Sequence, residues 1–148
     1  MPRYSVSGVD TNTANTTILG ITGGTGKRLK IVEIHIGFDA TPADMACKFD
    51  VQRTTAAGTA TAFTPVPLDA ADGAAVFTAG YAHSAEPTYT AGAVLLEVGV
   101  NQRTTWDWYA IPGNELVVPA TANAGLALRS VVVGGTPVNC VATFIVEE

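Results

Sequence analysis

Charge is scarce in this sequence. Lysine and arginine number 8 and aspartate and glutamate 13, together 14% of 148 residues, with a net charge of −5, where about 25% charged residues is usual for a globular chain. The acidic balance leaves a nucleic-acid role without an electrostatic footprint. The one basic cluster, Lys27, Arg28 and Lys30, reads as the solvated outer face of a strand. No stretch approaches the roughly 18 consecutive apolar residues of a membrane-spanning helix. No apolar segment follows Met1-Pro2-Arg3-Tyr4, so synthesis in a cytosol is expected. There are two histidines and two cysteines. Cys47 and Cys140 each fall within an alternating apolar run and lack any Cys-x-x-Cys spacing, which predicts buried free thiols and no zinc centre. Helical periodicity is missing as well.

What is present is period-two alternation, the pattern of strands with one buried face. It runs through Arg28–Phe38, Met45–Arg53, Ala93–Val100, Thr104–Ile111 and Val138–Val146, with shorter runs at Arg3–Ser7, Ile18–Ile21 and Gly125–Val133. Arg3–Ser7 reads as a short edge strand and Arg28–Phe38 as a central one. Within Arg28–Phe38, strict alternation places Lys30, Val32, Ile34, Ile36 and Phe38 on one face. Pro65 and Pro67 confine the stretch Phe63–Leu68 to an edge or a loop. Both tryptophans lie in Asn101–Arg129, where Pro112-Gly113-Asn114 carries turn chemistry and Glu115–Val118 follows as a short β-branched run, so a hairpin organising the core is expected there. Core positions are expected at Phe49, Val51, Phe144 and one of Trp106 and Trp108. Eight to nine strands and no amphipathic helix predict one all-β domain over residues 1–148, an antiparallel two-sheet sandwich of jelly-roll-like form.

Asp69–Gly92 is rich in alanine, glycine, aspartate and threonine and reads as a long loop. Structureless loops beyond roughly 12–15 residues are uncommon in compact domains, so it is expected to be ordered by a neighbouring subunit or another partner. Tyr81 and Tyr89 are its best interface anchors, since tyrosine combines a buried ring with a wet hydroxyl. A neutral surface rich in alanine, threonine and glycine points the same way, towards a subunit in an assembly.

Catalytic signatures fail on inspection. Gly20–Lys27 is not a phosphate loop, because Ile21 stands at the first glycine position, Arg28 at the Ser/Thr position, and a strand follows where a helix is required. A dinucleotide fingerprint fails because Leu29 occupies the third glycine position. His83, Ser84 and Glu86 supply the residue types of a nucleophilic triad, but near-neighbours along one chain rarely aim at one atom, and Gly-x-Ser-x-Gly is absent. No enzymatic activity, cofactor or metal is expected. Trp106, Trp108 and Tyr109 could stack on sugar rings if exposed, which makes a lectin-like module the rival small-ligand reading.

The stretches KRLKIVEIHIGF (Lys27 to Phe38), VQRTTAAGTATAFTPVPLD (Val51 to Asp69) and AEPTYTAGAVLLEVGVNQRTTWDWYAIPGNELVVPATANAGLALR (Ala85 to Arg129) resemble small virion proteins of tailed bacteriophages, the capsid decoration or cement class. The resemblance implies a jelly-roll-like sandwich on the outer capsid surface, bound to the major capsid protein. It also implies a homo-oligomer, a trimer at local three-fold positions, that clamps neighbouring capsid subunits. Head-fibre bases, head-completion proteins and tail proteins share such sandwiches. No contact residue is carried over from the family.

Overall fold

The computed structural model describes residues 1–148. The alternating runs form strands throughout, with no helix. In chain order these are β1 (Arg3–Thr11), β2 (Thr16–Thr22), β3 (Leu29–Phe38), β4 (Ala46–Ala56), β5 (Thr59–Phe63), β6 (Val66–Pro67), β7 (Thr78–Ala85), β8 (Thr88–Asn101), β9 (Trp106–Tyr109), β10 (Leu116–Val118), β11 (Gly125–Val133) and β12 (Asn139–Glu147). They make two antiparallel sheets packed face to face. Sheet I runs β6-β1-β12-β3, with β9 and β10 sharing the far edge of β3; sheet II runs β5-β7-β2-β11-β4-β8.

The pairings describe a long double ribbon rolled on itself. β1 pairs with β12, β2 with β11, β3 with β9 and β10, and β4 with β8. Rolling adds β3 against β12 and β4 against β11, which closes the two sheets. Successive ribbon strands alternate between sheets, the path of a jelly roll. β5, β6 and β7 are inserted at the ribbon tip and widen the flank beside β1 and β2. β1 therefore lies between β12 and the two-residue β6, inside sheet I rather than at its edge as expected.

Between the sheets lies one hydrophobic cluster of 22 buried residues, with Tyr4, Phe49 and Phe144 among its largest fully enclosed side chains. Val51 is buried with them, whereas Trp106 and Trp108 are half-buried and pack against the cluster from the edge. Cys47 and Cys140 are free and buried. Loss of solvation raises both thiols above their usual range, Cys140 to about 12.

Two local departures from strict alternation shape the rest. In β3 the register against β12 slips between the pairs Ile145–Glu33 and Val146–Ile31, so Val32 is an extra residue. That bulge lets Leu29 and Ile31 before it and Ile34 and Ile36 after it all face the core, with Lys30, Glu33 and His35 outside. Regular alternation would have pointed Lys30 inward with Ile34. The second departure is the Pro112-Gly113-Asn114 turn. Gly113 has φ 95°, and Asn114 N–H donates to the Ile111 carbonyl, but the chain does not reverse. Trp106–Tyr109 pairs with Ile36–Glu33, the chain loops out, and Leu116–Val118 then pairs with Ile31–Leu29. β9 and β10 are one interrupted strand along β3, and the expected hairpin does not form.

The expected long loop is mostly strand, since β7 and the start of β8 fall inside Asp69–Gly92. What remains is held by this chain's own groups. The Tyr4 hydroxyl donates to the Gly73 carbonyl, the Phe77 ring meets the Tyr4 ring edge-on at 5.8 Å, and Val76 N–H donates to the Glu148 carboxylate.

Candidate functional site

Both outer sheet faces carry polar clusters. On sheet II, Tyr89 of β8 lies over β4 and β11. Its hydroxyl is 2.5 Å from Thr17 Oγ1. The Glu86 carboxylate accepts from Thr17 N–H at 3.0 Å and from the Thr17 hydroxyl. The Arg129 guanidinium stacks on the Tyr89 ring, 4.7 Å from its centroid, and donates to Asp50 at 2.9 Å and Gln52 at 3.0 Å. Gln52 completes the set by donating to the Thr90 carbonyl. Asp50 and Gln52 sit on the outward side of β4 as alternation predicts, yet are 3% and 5% exposed because Arg129 and Tyr89 cover them. The tyrosine hydroxyl is shifted far upward, first by loss of solvation. Every named group here has a partner within the chain, so this is a clamp holding β8 and β2 onto the sheet.

Tyr81, the other anchor expected on a loop, stands on β7 opposite Leu19 and packs against the core. A methyl at Gly8 would lie 2.4 Å from its Cβ. The structure thus places Tyr81 and Tyr89 on strands, β7 and β8, towards opposite ends of sheet II and on opposite faces.

Beside the clamp, Gly20, Gly80 and Ala127 floor a cavity of about 200 Å³ roofed by Ala57, Gly58, Pro87 and His83. The buried Nδ1 of His83 has no hydrogen-bond partner, and burial lowers the imidazole's pKa despite the Glu86 and Asp10 carboxylates. The residue types of a triad do not converge there. Ser84 Oγ points to the Thr59 carbonyl at 3.4 Å, and Glu86 is committed to Thr17.

On sheet I the outward side of β3 and β9 carries the second cluster. His35 Nδ1 is 2.6 Å from Asp107 and Nε2 is 3.1 Å from Glu33, and the Tyr109 ring meets the imidazole edge-on at 5.5 Å. Partial burial, the largest single influence, disfavours the charged ring, but the bonds to Asp107 and Glu33 together outweigh it and raise the pKa above 6.5. Both nitrogens are engaged, and no three His, Cys, Asp or Glu side chains converge as metal ligands. Around this cluster sheet I shows a face of Ser5, Ser7, Val141, Thr143 and Ile145, none of them buried, with Val9, Tyr109 and Ile111 more exposed still.

The clamp was hidden from sequence reading because Asp50 and Arg129 are 79 residues apart. One signal existed, an arginine in the apolar run Gly125–Val133. The glycine loop before Lys27 makes no nest; Lys27 Nζ lies 3.5 Å from Glu148. No protein-family model matches the chain, and no curated protein matches it.

Proposed function

We propose that this chain is a non-enzymatic structural subunit of a tailed-phage virion, a decoration or cement protein that binds the major capsid protein on the outer shell and stabilises it. The carrying observation is the outer face of sheet I, where short hydroxyl and aliphatic side chains such as Ser7, Thr143, Val141 and Ile145 stand side by side on β1 and β12, only half-buried and with no element packed over them. An open face of small polar and aliphatic side chains flanked by paired charges suits docking to another protein and offers a small substrate no enclosure. The jelly-roll path agrees with what the resemblance implies. Within this reading the protein acts as a homo-oligomer, a trimer, and the parts of the Tyr81 and Tyr89 rings left in solvent take part in its contacts. A head-fibre base, a head-completion protein or a tail protein would use the same kind of face.

Mixing the purified protein with expanded empty capsids tests the proposal. Saturation at a fixed stoichiometry with raised resistance to heat is expected, because a ligand specific to the assembled shell stabilises it by mass action. Absence of binding at saturating protein would overturn it. A lectin-like reading has one observation in its favour, the 60% exposed Tyr109 ring beside Asp107. The tryptophans favour it less, since Trp106 and Trp108 pair with the core-facing Ile36 and Ile34 and pack against the core. Glycan titration followed by aromatic fluorescence separates the two.

A further inference from the structure

The sandwich has four sheet edges, and they differ sharply. On sheet I one edge is the two-residue β6 and the other is broken between β9 and β10; on sheet II one edge is the five-residue β5. The fourth is β8, fourteen residues long, paired with β4 on one side and with nothing on the other. A bulge at Leu95 interrupts its pairing with β4; past it, from Leu96 to Asn101, the pairing is regular and the strand carries one charge, Glu97, already neutralised by Lys48 of β4 at 2.7 Å. Monomeric proteins guard such an edge with charges, proline or bulges, and this stretch past the bulge has no guard beyond that pair.

Gly99 is the second observation. It sits mid-strand opposite Lys48, with ordinary φ, and a methyl built there would come no closer than 4.0 Å to another atom, the Cys47 carbonyl oxygen. The subunit's own packing therefore does not call for glycine. A glycine inside a strand weakens it and marks a place where something else approaches closely.

We infer that β8 pairs antiparallel with β8 of a second copy about a two-fold axis through Val98, merging the two copies' sheet II into one continuous sheet. This register sets Glu97 opposite the second copy's Gly99, and beyond that glycine lies the second copy's Lys48. Strands are about 4.8 Å apart, so the two Cα atoms stand about 10 Å apart, within reach of a lysine and a glutamate across a position with no side chain. The two lysines and two glutamates then alternate around the axis, while Val98 meets Val98 and Leu96 meets Val100 on the core side. Moving the axis to Glu97 would set the two glutamates against each other. Charge complementarity thus selects both the occupant and the register. The contact is independent of capsid binding, and it is compatible with trimers on an icosahedral shell, whose neighbouring three-folds are related by two-folds.

Analytical ultracentrifugation of the full chain up to submillimolar concentration tests the pairing. Pairwise association of the free species, single chain or trimer, is expected, weak because an edge contact is small. Glu97→Lys should raise the dissociation constant at least about ten-fold by replacing two attractions with repulsions, and Lys48→Glu combined with Glu97→Lys should restore it. Gly99→Thr should weaken association with an unchanged or raised melting temperature. A chain that stays monomeric throughout overturns the inference, as does a dimer indifferent to Glu97→Lys or one that the double reversal fails to restore. A monomer that still saturates capsids would overturn this contact and leave the capsid proposal standing.

Discussion

The outer faces of the two sheets solve the same problem in opposite ways. Sheet II covers its outward polar residues with the chain itself: Tyr89 and Arg129 close over Asp50 and Gln52 until hardly any of either is exposed. Sheet I leaves its face open, and its histidine cluster, His35 between Asp107 and Glu33, keeps roughly a third or more of each side chain in water. A salt bridge of the first kind is costly to break because a buried charge is stranded, whereas the second kind is screened and weak. The outer face of sheet II over β4 and β11 is thus covered by its own chain, whereas that of sheet I stays open.

The largest test of that contrast is Arg129→Met, which leaves Asp50 buried without its partner and should cost roughly 3–5 kcal/mol in equilibrium denaturation. That matches the roughly 3–5 kcal/mol expected for Phe144→Ala in the shared core. An Arg129→Met loss well under 1 kcal/mol would erase the distinction between the faces. Tyr89→Phe, which removes one hydroxyl from the same clamp, should cost about 1 kcal/mol.

The two histidines sharpen the comparison further, because one sits on each outer face and their pKa values shift in opposite directions. His35 is raised, so its stabilising contribution is complete below pH 6.5 and is lost as pH rises through its folded value. His83 is lowered, so folding is favoured above pH 6.5 and that contribution is lost as pH falls through its folded value. The histidine part of the stability profile should therefore peak near pH 6.5. Urea midpoints measured between about pH 5 and 8 check this: His35→Gln should flatten the alkaline limb and His83→Gln the acid limb near 6.5. The smallest effect is expected from Asp107→Asn, below about 1 kcal/mol at pH 6 and vanishing in high salt.

How far the sequence disclosed this molecule depended on whether a feature was local. β12 was legible in full, because Cys140, Ala142, Phe144 and Val146 alternate without interruption and all four are buried. β3 was legible as a strand but not in its facing, since one extra residue at Val32 reverses which parity points inward and no composition marks it. The turn at Pro112–Asn114 was recognised as a turn, yet whether the chain reverses there or rejoins the same edge is decided by β3, some 80 residues earlier. Alanine- and glycine-rich β7 was missed because its residues have low strand propensity, and its place is fixed by pairing with β2 and β5. The Asp50–Arg129 clamp depended wholly on two distant strands becoming neighbours.

The double ribbon also sets a timetable. Arg3 pairs with Glu147 and Ser7 with Thr143, so β1 waits for β12, far along the chain, which fills the gap between β1 and β3. Sheet I cannot close until β12 has been made, and pairings so distant along the chain make for slow folding. The nascent chain can begin at the ribbon's tip, where β4 meets β8, and zip towards its ends. Deleting β12 would thus take out an inner strand, leaving β1 and β3 each open on one side in a chain with little charge to keep copies apart.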